Sequence, residues 1–150
     1  MGRHGRAEMV GSVALNLVVK RDIDLHLLTP EANLLAVIDA LYHELIERED
    51  VSEVRISDYR AEGGIKLGID AYNGPSGDWS IDLWVTNRPE ATAFAETAYL
   101  RQRLTTVHRR AILVLKRHYH ALGQLRHGLS TRIYHAVLES GVRTVEEFER

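Results

Sequence analysis

Gly11-Ser12-Val13-Ala14-Leu15-Asn16-Leu17-Val18-Val19-Lys20-Arg21-Asp22-Ile23-Asp24-Leu25-His26-Leu27-Leu28 is the stretch on which the reading of this chain turns. Ile23 to Leu28 reads as a strand. Successive side chains on a strand point to opposite faces, so Asp22 and Asp24 share one face while Ile23 and Leu25 turn to the core. Two carboxylates on one face repel each other and cost stability unless a cation stands between them. Oxygen-only ligands suit a hard ion such as Mg²⁺, with Mn²⁺ as its substitute, which completes its shell with water and substrate phosphate. Upstream, Gly11 lets the backbone approach a ligand closely. A helical turn or two is expected over Val13 to Leu17. Its N-terminus offers N–H groups to a phosphate, and Ser12 can donate its hydroxyl to the same group.

Outward from this stretch, residues 1–8 are polar and glycine-bearing and are expected to be disordered, with Met9-Val10 the stub of a strand. On the other side, Thr29-Pro30-Glu31 has the marks of a helix start: a capping hydroxyl, a proline at the first helical position and an acid in the first turn. Leu34, Ile38, Leu41 and Leu45, with Val37 and Ile46 beside them, recur at helical spacing and predict a helix over 31–47. From Val54 the period changes to two. Strands are expected near 53–60, 65–72 and 79–86, turned at Gly63-Gly64 and at Asn73 to Asp78, as an antiparallel meander.

The last of these strands, Trp79-Ser80-Ile81-Asp82-Leu83-Trp84, carries a third acid between apolar neighbours. Asp70 and Asp58 are its rivals. Ile81, Leu83 and Val85 make an inner strand the better reading and favour Asp82. Asn87-Arg88-Pro89 then punctuates the chain. A long helix is expected over 101–121, with Leu104, Val107, Ala111, Val114 and Leu115 apolar. Another restarts at Gly128-Leu129-Ser130 and ends at Gly141, whose glycine suits a C-cap. Thr144-Val145-Glu146-Glu147 has the spacing of a capping box. The organisation is α+β, divided into residues 1–88 and a helical part over 89–150.

Bulk properties exclude several classes. The chain has 150 residues, 27% charged and 45% hydrophobic, and carries a net charge of −2. That charge does not indicate a nucleic-acid partner, although Lys and Arg thicken between Arg101 and Arg126. There is no cysteine, which excludes disulfides, thiolate metal sites and cysteine nucleophiles. No apolar run reaches the roughly 20 residues of a membrane span. The basic N-terminus lacks the apolar core of a signal peptide, so a cytoplasmic address is expected. Eight histidines are present, but no His-Glu-x-x-His pattern and no Gly-x-x-x-x-Gly-Lys loop occurs.

Gly-Ser, a short helical spacer and then Asp-Ile-Asp-Leu resembles the signature of the nucleotidyltransferase superfamily, the fold of the DNA polymerase beta-like and small prokaryotic-type nucleotidyltransferases. Asp82 stands where that signature has its third acid. Arg110-Ala111-Ile112-Leu113-Val114-Leu115-Lys116 resembles the helix that follows the catalytic domain in such proteins and offers basic side chains to a triphosphate. The resemblance covers most of residues 9–120. It departs from the pattern in lacking a helix before the Gly-Ser strand and an Arg-Gly pair in the spacer.

The resemblance implies a mixed sheet packed with helices, followed by a helical C-terminal part. It implies Mg²⁺ held by Asp22, Asp24 and Asp82, and an NTP contacted by Gly11, Ser12, Arg110 and Lys116. The reaction implied is transfer of an NMP to an acceptor the sequence does not name, with release of pyrophosphate. Asp82 is one candidate to take the acceptor's proton, and a metal-bound hydroxide is the other. The alternative is a regulatory, antitoxin-like protein on the same fold that binds a nucleotide or a partner without turnover. Either reading leaves room for a partner protein or a homo-oligomer.

Overall fold

The structure is a computed structural model that describes residues 2–74, 77–126 and 128–150. The chain forms five strands, β1 (Arg6–Val10), β2 (Asp22–Leu28), β3 (Glu53–Tyr59), β4 (Gly64–Gly74) and β5 (Gly77–Thr86), of which β2 to β5 carry period-two apolar patterning. They form one sheet in the order β1-β2-β5-β4-β3. β3, β4 and β5 are the expected antiparallel meander, whereas β2 pairs with β5 in parallel, so the sheet is mixed. Of the turn expected over Asn73 to Asp78, Pro75 and Ser76 lie outside the described residues.

Two local expectations are corrected. Residues expected to be disordered form a short 3₁₀ turn at Gly2–His4 and then β1, which is antiparallel to β2 from Arg6 opposite Leu28 to Val10 opposite Asp24. An edge position lets a strand be polar on its exposed side, which hid it from a periodicity reading. Helix α2 is Leu34–Ile46, not 31–47, and its cap is Asn33, whose side chain accepts from Ala36 N–H at 3.3 Å. Thr29 is buried instead, its hydroxyl accepting from Glu31 N–H.

α2 lays Leu34, Val37, Ile38 and Leu41 on Leu27, Ile65, Leu67, Leu83 and Val85 of the sheet, with Leu45 partly buried at the edge. Each such side chain contributes about 1.5–3 kcal/mol of burial. This leaves the opposite sheet face, with Asp22, Asp24 and Asp82, free of α2.

The back half holds α3 (Phe94–Arg103), α4 (Thr106–Ala121), α5 (Leu129–Glu139) and α6 (Val145–Glu149). The single helix expected over 101–121 is therefore two. Leu104 is extended and buried between them, and Thr105 opens α4 with a capping box closed by His108. The restart alters which residues face inward: Ala111, Ile112 and Leu115 are buried, while Val107 and Val114 are exposed. α5 is followed by Gly141 at φ +70°, and Thr144 and Glu147 form the expected box on α6. These helices share a second core with Leu15 and Leu17 from the front half.

Candidate active site

β1 ends at Val10, and the chain turns at Gly11 into the short helix α1 (Gly11–Leu15). Gly11 has a φ of +64°, and a Cβ there would stand 2.9 Å from Asp24 Oδ2. Glycine thus permits both the left-handed turn and the close approach to the carboxylate. Asn16 closes α1 with a φ of 57°, and the chain returns through Leu17 toward β2.

The parallel register of β2 on β5 sets Asp24 opposite Asp82 and Asp22 opposite Ser80. Alternation therefore puts all three acids on the same face of the sheet. They line a cavity of about 380 Å³ together with Gly11, Ser12 and Lys116. Of the rivals, Asp70 lies on β4 as an ion-pair partner of Arg55. Asp58 lies on β3 and pairs with Arg60.

Burial, first, and then the charges of Asp22 and Asp82 push the Asp24 carboxyl up from 3.8 to about 6. The sheet thus concentrates negative potential at one point. Lysines balance part of it: Lys20 Nζ stands 3.0 Å from Asp22, and Lys66 Nζ 3.5 Å from Asp82. Among the described residues, no three acidic or histidine side chains are gathered closely enough to enclose an ion. The donor set is nonetheless all oxygen, and its central carboxyl, Asp24, is largely buried beside the other two, which suits a hard cation.

Lys116 is 2% exposed, and its ammonium donates to Ser12 Oγ at 2.7 Å, to the Leu17 carbonyl at 2.7 Å and to Tyr134 Oη at 3.1 Å. Burial pulls its pKa from 10.5 down to about 8, although Asp22 and Asp24 favour the charged form. The ammonium is thereby fixed beside the Gly-Ser turn. Arg110 does not join it. Six residues along a helix are about 240° of rotation, and Arg110 lies on the exposed side of α4, outside the cavity lining. Neighbouring Arg109 is structural: it donates to the carbonyls of Leu104 at 2.8 Å and Leu15 at 3.3 Å.

The far wall comes from residues the sequence reading did not assign to the site. Arg126, Ser130, Thr131 and Tyr134 line the cavity, as does Lys20. α5 begins behind Gly128 with no side-chain cap, so its N-terminus, at Ser130 and Thr131, meets the cavity with its positive end. Gly128-Leu129-Ser130 had signalled a helix start. The absence of a strong capping residue was the available hint that a ligand could serve there.

No protein-family model and no curated protein sequence matches the chain. Its structure matches a cytoplasmic RNA terminal U-transferase at 19% identity and TM-score 0.65, over 91% of this chain and 42% of that one. It also matches the Cid1 poly(U) polymerase with Mg and 3′-dATP bound, at 20% identity and TM-score 0.55, over 74% and 33%. The GLD-2/RNP-8 complex matches at 15% identity and TM-score 0.65, over 93% and 46%. The chain therefore spans less than half the length of each of these proteins. At these identities the likeness establishes the fold alone: a five-stranded mixed sheet packed with helices, shared with these proteins.

Proposed function

We propose that this protein transfers an NMP from an NTP to an acceptor hydroxyl and releases pyrophosphate. The observation that carries the proposal is the register of Asp24 on Asp82, with Asp22 on the same face, Gly11 against Asp24 and Ser12 in the same cavity. In this reading Asp22, Asp24 and Asp82 hold Mg²⁺ or Mn²⁺. Bound there, the ion would offset the charge on the phosphate oxygens and on the leaving group.

The chain's own groups do the rest. Ser12, the Lys116 ammonium and the N-terminus of α5 hold the terminal phosphates. The acceptor oxygen attacks the α-phosphorus, and the bond to the bridging oxygen on the far side breaks. Pyrophosphate leaves with that electron pair, and the acceptor's proton passes to the Asp82 carboxylate. Holding the two reactants in line supplies much of the acceleration. A cytoplasmic address goes with these substrates. Among the described residues, no helix is long and apolar enough to cross a membrane.

A second reading is a protein that binds nucleotide without turnover. The lysines on Asp22 and Asp82 favour it, because they already serve as counter-ions. Both readings require binding, so binding is tested first. Mg²⁺ with an NTP should raise the melting temperature, since a ligand at 100 times its Kd stabilises by about 2.7 kcal/mol. Asp24→Asn should lose that rise. An unchanged melting curve at millimolar metal and NTP contradicts both readings.

A further inference from the structure

A second cavity, of about 510 Å³, opens on the same sheet face and shares Lys20, Asp22 and Asp82 with the first. Its floor is the polar side of the meander. Lys66 on β4 is the cross-strand partner of Trp84, and Gly68 is that of Asp82. Gly68 leaves the sheet bare beside the third acid; even a Cβ there would stand 3.6 Å from Asp82 Oδ1. Arg55 on β3 stands opposite Gly68, and Arg21 enters from the start of β2.

The charged lining counts four cations, Lys20, Arg21, Arg55 and Lys66, against three carboxylates, Asp22, Asp70 and Asp82. Two of those carboxylates are the ones assigned above to a divalent ion. Once they are engaged, Lys20 and Lys66 are left as free positive charge, and the cavity becomes strongly basic. An in-line displacement needs the attacking and leaving oxygens on opposite sides of the phosphorus. With the triphosphate tail at Ser12 and Lys116, the acceptor approaches from across the acids, where this cavity lies.

Resting on the transfer reading, we propose that this second cavity is the acceptor site and that the acceptor carries a phosphate close to its attacking hydroxyl. A cationic acceptor is disfavoured by the same lining. Phosphate beside a hydroxyl occurs both at the end of an oligonucleotide and in a small sugar phosphate, and the cavity chemistry serves either.

The test uses the full chain with Mg²⁺ and without NTP. Three probes are compared: a short fluorescent oligoribonucleotide, ribose 5-phosphate and a cationic aminoglycoside. The variant is Arg55→Ala, on the sheet surface, outside the NTP cavity and paired with none of the three assigned acids. Binding of either phosphate probe should weaken by about tenfold or more in the variant, with a shallower salt dependence. NTP binding should change by less than about twofold, because the terminal-phosphate groups are untouched. Binding of the oligonucleotide identifies a polymer acceptor, and binding of the sugar phosphate alone a small one; both support the proposal. It is overturned if NTP binds but neither phosphate probe does, if the variant binds them as well as wild type, or if the aminoglycoside binds best. Failure of the underlying reading is seen separately, as wild type that binds no NTP.

Discussion

Asp24 is the residue at which the sheet's design and its stability conflict. Its carboxyl is raised from 3.8 to about 6, so between those values the folded chain binds a proton that the unfolded chain has lost. Stability therefore falls as pH rises through that window, and above it the penalty is constant. The full displacement corresponds to at most about 3 kcal/mol. Asp24→Asn removes the charge and keeps the shape. Without metal, the wild type should lose stability between pH 4 and pH 6, roughly the window its shift defines, and the variant should be more stable than wild type at neutral pH. Urea unfolding across that range checks it; equal stability at neutral pH would mean the carboxyl is not strained. The paired acids on β2 were legible because strand alternation is a local rule. The closeness of Gly11 to Asp24 was legible only in part, since a glycine announces freedom without saying which side chain will occupy the space.

At the scale of elements, the helices around the site show where local reading stops. Apolar spacing over 101–121 suggested one helix, with Val107 and Val114 inside. The chain breaks at Leu104-Thr105 because Leu104 is drawn into the core and Thr105 with His108 can cap a new helix. The second helix then starts with its own phase, and Lys116 faces inward while Arg110 faces solvent. Nothing within a few residues of Lys116 foretells its partners, Ser12 and Tyr134, which come from α1 and α5. The burial of this ammonium gives a test. Because its pKa falls from 10.5 to about 8, the penalty on the charged form is complete below 8 and is relieved as pH rises toward 10.5. Wild type should therefore gain stability over that window. Lys116→Met should not, and it should bind NTP about tenfold more weakly, as expected for loss of a charge-assisted contact to phosphate. Its stability at neutral pH should move by less than about 2 kcal/mol, because relief from burying a charge offsets the unpaired Leu17 carbonyl. A variant that binds NTP like wild type would remove Lys116 from the site.

Across the whole molecule, the site is made by pairings between distant parts of the sequence. The meander was legible from period and turn residues. The parallel pairing of β2 with β5, which brings Asp24 beside Asp82, joins segments more than fifty residues apart and has no local signature. The division of the chain near residue 88, which we retain as a proposal about organisation, is bridged by Leu15 and Leu17 in the core of the helical half. Net charge also misleads at this scale. A total of −2 averages over the surface, while the basic side chains beside Asp82 are gathered in one cavity. The most direct test of the account is the fate of label from an NTP labelled at the α- or the γ-phosphate, given with Mg²⁺ and acceptors from cell extract. Wild type should move α-label, but no γ-label, onto an acceptor. Asp82→Ala should slow that transfer by about 10²-fold or more, the usual worth of a positioned base, while still binding NTP. NTP binding by wild type with no label moved, or transfer by Asp82→Ala at the wild-type rate, would contradict it.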